Sequence, residues 1–71
     1  MRDKLIAFRG KRSQQEMAKV YGVTQQAWSG WETGTLTPGV VIMKRLENDS
    51  GIPMEEIFFD FFNKKKLLKP A

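Results

Sequence analysis

The stretch Ser13 to Gly34, SQQEMAKVYGVTQQAWSGWETG, leaves little freedom in how this chain can fold. Ser13, with Glu16 three residues on, has the form of a capping box, in which each side chain satisfies the other residue's backbone N–H. The helix predicted from it runs Gln14 to Tyr21, with Met17 and Tyr21 stacked on one face at i, i+4. Gly22 can take the left-handed conformation that ends a helix, and Val23 turns inward as an apolar anchor. Thr24 then caps a second helix, Gln25 to Thr33, whose Ala27, Trp28 and Trp31 face the core. Gln25, Gln26, Ser29, Gly30 and Thr33 are left pointing outward. Gly34, with Pro38 beyond it, stops the second helix. Two helices, a Gly-containing turn of about three residues and a polar outer face describe a helix-turn-helix.

The remainder supplies helices to pack against this pair. Arg2 to Arg9 is predicted helical, with Leu5, Ile6 and Phe8 as its apolar side, and Gly10 ends it. After a loop from Gly34 to Gly39, a helix runs from Val40 to about Asn48 on the stripe Ile42, Met43 and Leu46. The cluster Asn48-Asp49-Ser50-Gly51 favours an early end there. Pro53 opens a last helix to Asn63, with Glu55 and Glu56 at its positive end. The expected fold is therefore all-α, a compact bundle of five short helices over residues 1–63, with 64–71 as a basic tail. That tail is either frayed or a second phosphate contact.

Composition narrows the chemistry. There is no cysteine and no histidine, so disulfides, thiolate metal sites and the usual general base are excluded. Glu55-Glu56 and Glu47-x-Asp49 have no ligand spacing, and solvated charges explain them. No enzyme activity, metal or cofactor is expected. No apolar run approaches the roughly eighteen residues of a membrane span, and no signal-peptide pattern is present. A cytoplasmic location is expected. Charge is segregated: residues 1–30 hold Arg2, Lys4, Arg9, Lys11, Arg12 and Lys19 against Asp3 and Glu16. Residues 31–63 reverse the balance, and Lys64, Lys65, Lys66 and Lys69 restore it. A basic front points to a polyanionic partner.

The stretch resembles the helix-turn-helix of the phage repressor and Cro family, also called the XRE family, whose fold is lambda-repressor-like. Gln14, Ala18, Gly22, Thr24-Gln25-Gln26, Trp31-Glu32 and Gly34-x-x-x-Pro38 carry the resemblance. It implies a sequence-specific regulator of transcription that binds double-stranded DNA, a repressor from a bacterium or phage. The second helix would lie in the major groove with Gln25, Gln26, Ser29 and Gly30 at base-facing positions. A glutamine amide matches adenine N7 and N6, so adenine is expected opposite Gln25. Gly30 reads by backbone approach or not at all. The resemblance also pairs Arg9 with Glu32, which would orient Arg9 toward a phosphate, and gives Gln14 a phosphate. Arg12, Lys11, Thr24, Thr33, Thr35 and Thr37 are the remaining candidates for the DNA backbone, with Lys19 the least central. Two departures stand out. The link Gly10-Lys11-Arg12 is shorter than the commonest family spacing, and Lys44, Glu47 and Ser50 fall where the family carries apolar residues.

A single copy of such a motif makes few contacts, so two copies on a two-fold symmetric operator, roughly 34 Å apart, are expected. Phe58, Phe59, Phe61 and Phe62, with Leu67 and Leu68, exceed what one small core can bury and are the predicted homodimer contact. The competing reading is a protein-interaction module, an antitoxin or adaptor, that uses the aromatic last helix to hold a regulatory protein partner. Trp28 and Trp31 fall on the inward face and are assigned to the core rather than to base stacking.

Overall fold

The computed structural model describes the backbone of residues 1–68 and the side chains of residues 1–63. Among the described residues there are six helices and no strand. The capping box forms as its residues require: Ser13 Oγ accepts from Glu16 N at 3.0 Å, and Glu16 Oε1 accepts from Ser13 N at 2.8 Å. It starts α2 (Gln14–Val20), which Tyr21 caps, one residue before the predicted end. Gly22 is left-handed (φ +69°), and Val23 N–H donates back to Ala18 O at 2.9 Å. Thr24 Oγ1 accepts from Ala27 N at 3.0 Å to open α3 (Gln25–Thr33), and Gly34 closes it. α2 and α3 thus meet across a turn whose polar groups are satisfied locally.

Around that pair stand α1 (Asp3–Arg9) and α4 (Val40–Ser50). α4 runs two residues past the predicted end at about Asn48 and stops within the Asn48-Asp49-Ser50-Gly51 cluster. Asn48, Asp49 and Ser50 are poor helix residues, but Gly51 supplies a left-handed cap (φ +74°) with its N–H on Glu47 O, so the final turn is closed. Asp49 gains a partner by staying helical: Tyr21 donates its hydroxyl to Asp49 Oδ2 at 2.6 Å, with Arg45 stacked 4.4 Å over the Tyr21 ring. That contact ties α4 to the end of α2.

The last helix is two, not one. α5 (Met54–Ile57) ends at Phe58, which leaves helical geometry (φ −110°, ψ 42°), and α6 (Phe59–Leu68) starts again beyond it. The cause is Arg2. Its guanidinium lies 4.9 Å over the Phe58 ring and also pairs with Asp60. Residues two apart on an unbroken helix point to opposite sides. The break lets both reach one cation. α6 then runs to Leu68, past the predicted end at Asn63.

The core has Trp28 at its centre, fully buried, with Tyr21 at 5.5 Å and Trp31 at 5.6 Å between ring centroids. Leu5, Met17, Met43, Leu46, Ile57 and Phe58 close over them from the other helices. Each such side chain stabilises the fold by about 1.5–3 kcal/mol. The two tryptophans are core residues, as predicted. Among the described residues no helix is long and apolar enough to cross a membrane.

Candidate nucleic-acid interface

The outer face of α3 is held from behind by one buried carboxylate. Glu32, 2 % exposed, accepts Trp28 Nε1 at 2.6 Å and Arg9 Nε at 2.7 Å on one oxygen. Its other oxygen accepts Gln14 Nε2 at 2.9 Å and Arg9 Nη2 at 3.3 Å. Burial by itself would raise the Glu32 pKa. The hydrogen bonds from Arg9, Gln14 and Trp28 outweigh it, and the group is held below the ordinary glutamate value. One ionised side chain therefore fixes α3 against α1 and α2, and the predicted Arg9–Glu32 pair is present. The phosphate expected at Gln14 concerns the backbone N–H groups that open α2; the Gln14 side-chain amide is turned inward to Glu32.

A second hub was not foreseen. Arg2 counts among the basic front residues in the sequence, yet it is 4 % exposed. All five of its guanidinium N–H groups are used. Nη1 donates to Trp31 O at 3.0 Å and Leu36 O at 2.7 Å, and Nη2 donates to Thr37 Oγ1 at 2.9 Å. Nε and Nη2 hold the two Asp60 oxygens at 3.0 and 3.1 Å. The Arg2 backbone N–H also donates to Glu32 O at 2.8 Å. Arg2 is thus an internal clamp on the loop after α3, and it is withdrawn from the basic surface. The one mark in the sequence was Asp60, an acid set among four phenylalanines, but Lys64 four residues on hides it as an ordinary helical pair.

With its back fixed, α3 presents Gln25 and Gln26 exposed at its N-terminal end and Ser29 half-buried one turn on. Together with Gln14, Gly30, Thr33, Thr35 and Leu36 they line an open concavity of about 390 Å³ without a charged residue. Two predicted members behave differently. Gly30 is buried, because Leu36 folds over it: a Cβ on Gly30 would stand 2.6 Å from Leu36 Cδ1. It offers no open surface to a base. Thr37 is half-buried, and its oxygen is taken by Arg2. Thr33 and Thr35 remain exposed with their hydroxyls 3.1 Å apart. Thr24 is exposed beyond its capping bond.

At the Gln14 end of this concavity lies the basic flank. Arg9 is partly exposed and donates from Nη1 to Arg12 O at 2.9 Å. Arg12 is exposed, with its guanidinium 5.5 Å from the Phe8 ring and a bond to Phe8 O. Lys11 and Lys19 are exposed. The predicted dimer set is divided by the fold. Phe58 is fully buried beneath Arg2 and is no surface contact, and Phe62 is half-buried against the core. Phe59 and Phe61 are exposed, at 62 % and 44 %. Leu67 and Leu68 lie outside the described side chains. Among the described residues no three acidic, histidine or cysteine side chains gather as they would around a metal ion. Comparison with known proteins found no match to this chain among family models, curated proteins or solved structures.

Proposed function

We propose that this chain is a sequence-specific double-stranded DNA-binding transcriptional regulator, a repressor with a lambda-repressor-like helix-turn-helix, that places α3 in the major groove. The observation that carries the reading is the contrast between the two sides of α3. Its inner side is locked by Glu32 and two buried tryptophans, while Gln25 and Gln26 stand free at its N-terminal end. A helix that is immobilised behind and uncharged in front fixes where the Gln25 and Gln26 side chains start, within reach of base edges. Arg9, Arg12 and Lys11 beside Gln14 supply phosphate contacts at one end, and Thr33 and Thr35 supply hydroxyls at the other, which would turn from Gly30 O to a phosphate. Exposed Phe59 and Phe61 on α6 support a homodimer on a two-fold operator.

The test is selection of a randomised duplex pool by the purified protein at about 150 mM salt, where weak non-specific binding is suppressed. A Gln25→Ala, Gln26→Ala variant is run beside it. An enriched symmetric sequence that blurs in the variant is the expected outcome. An enriched unsymmetrical half-site keeps the reading helix and removes the dimer. No enrichment, with binding lost uniformly as salt is added, refutes the proposal. A second reading, a protein-interaction module, draws on α4: Val40 and Val41 are 69 % and 79 % exposed and border an apolar recess with Met54. It gains ground only from that last outcome.

A further inference from the structure

We infer that Leu36 is a specificity-determining residue of the interface, and that it takes the C5-methyl group of a pyrimidine in the major groove. The inference rests on the reading of α3 as a DNA-reading helix and adds to it a residue from outside the helix. Helical spacing puts position 30 on the outer face with 25, 26, 29 and 33, yet the residue there has no side chain. Leu36 fills that space. A Cβ at Gly30 would lie 2.6, 2.8 and 3.0 Å from Leu36 Cδ1, Cγ and Cβ, so Leu36 occupies the volume a residue-30 side chain would need.

The leucine is held there from both sides. Its N–H donates to Gly30 O at 3.1 Å, and its C=O accepts from Arg2 Nη1 at 2.7 Å. It is nevertheless half exposed, at 50 %, and it is the one wholly apolar side chain around the concavity, where the others carry an amide or a hydroxyl and only Thr33 and Thr35 add a methyl. A fixed apolar group on a polar face has one complementary feature on the base edges of the major groove, the pyrimidine methyl. That methyl belongs to thymine or to a cytosine methylated at C5, and the chemistry of the contact is the same. Amides and hydroxyls would read hydrogen-bonding edges, and Leu36 would read the methyl.

The experiment uses the full chain and the duplex enriched in the selection above. Each thymidine is replaced in turn by deoxyuridine, which removes one methyl, and each deoxycytidine by 5-methyldeoxycytidine, which adds one. Leu36→Ala and Leu36→Met are measured beside the wild type, with circular dichroism to confirm that each is folded. The expected result is one position per half-site where the methyl changes affinity about fourfold, the worth of one buried methyl group. That response vanishes in Leu36→Ala and survives in Leu36→Met. A response to deoxyuridine assigns thymine, and a response only to 5-methyldeoxycytidine assigns the methylated cytosine. The inference is overturned if the wild type is indifferent to every substitution, or if Leu36→Ala responds as the wild type does. Failure of the DNA reading itself shows earlier, as a pool without an enriched sequence, and the inference then falls with it.

Discussion

Replacing Glu32 by glutamine changes one atom and should remove a large fraction of the stability of this chain. Each Glu32 oxygen accepts two donors, Trp28 Nε1 with Arg9 Nε on one and Gln14 Nε2 with Arg9 Nη2 on the other. Whichever oxygen becomes NH2, two donors then face a donor. At least two hydrogen bonds are lost, and Arg9 keeps its charge with no acid beside it. Breaking a buried ion pair from one side costs about 3–5 kcal/mol. The Arg9 side chain is 22 % exposed, so water relieves part of this, and about 3 kcal/mol is the expected cost. A domain of this size is stable by roughly 4–10 kcal/mol. The same loss lowers the melting temperature by about 12–24 °C. The assay is urea unfolding followed by the fluorescence of Trp28 and Trp31.

The pH dependence tests the same geometry independently. The Glu32 pKa is lower in the folded state than in the unfolded chain, burial being outweighed by the bonds from Arg9, Gln14 and Trp28. Its contribution is therefore complete above the ordinary glutamate value of about 4.3 and drains away as pH falls toward the depressed folded value. Glu32→Gln has no such carboxylate, so its acid limb should be flatter than that of the wild type. Equal urea midpoints for the two proteins at pH 7 would refute the reasoning. A variant less stable by about 3 kcal/mol, but with an unchanged acid limb, would refute the assignment of the ionised state.

Two further predictions concern the other polar contacts. Arg2→Met should cost about 3 kcal/mol in the same titration, since it leaves the Trp31 and Leu36 carbonyls and Asp60 without their donor. Lys4→Met, which removes only the exposed pair with Glu56, should cost under about 0.5 kcal/mol, and equal losses in the two would count against the buried clamp. Tyr21→Phe should cost about 1 kcal/mol for the lost bond to Asp49. Burial, then the Asp49 bond, raise the Tyr21 pKa well above its ordinary value, so that contribution is present below about pH 10 and is lost as pH rises through the folded value. The stability difference between wild type and Tyr21→Phe should therefore shrink in strongly alkaline urea titrations, and a constant difference would refute it.

What could be read from the chain was what neighbouring residues decide among themselves. Ser13 and Glu16 lie three residues apart and need no other part of the fold to form their cap, and the same holds for Thr24 over Ala27. The inward placing of Trp28 and Trp31 followed from helical spacing alone. The errors fell where a distant partner overrode the local pattern. Aromatic spacing described one helix to Asn63, but the demand of Arg2 for both Phe58 and Asp60 broke it. The Asn-Asp-Ser cluster described a turn, but Tyr21 and Gly51 kept it helical. Spacing put Gly30 on the open face correctly in angle, and only the loop beyond Gly34 could reveal that Leu36 would cover it. Arg2 was the largest omission, because a cation near a chain end has no local mark that separates a solvated one from a buried one.

The Arg2–Asp60 pair also fixes an order of events. It joins residues 58 positions apart, so forming it closes a long loop of chain, and contacts of that kind are completed late in folding. As the chain is synthesised, the groups that line the outer concavity, from Gln14 to Leu36, are all made before Asp60. Until then Arg2 has its carbonyl acceptors but no counter-charge, and the loop carrying Leu36 is anchored to a cation that still favours water. The loop that carries Thr35 and Leu36 is therefore set only when Asp60 has arrived, and a chain cut short before α6 would keep the α2 and α3 residues in place through Glu32 but hold Leu36 less firmly.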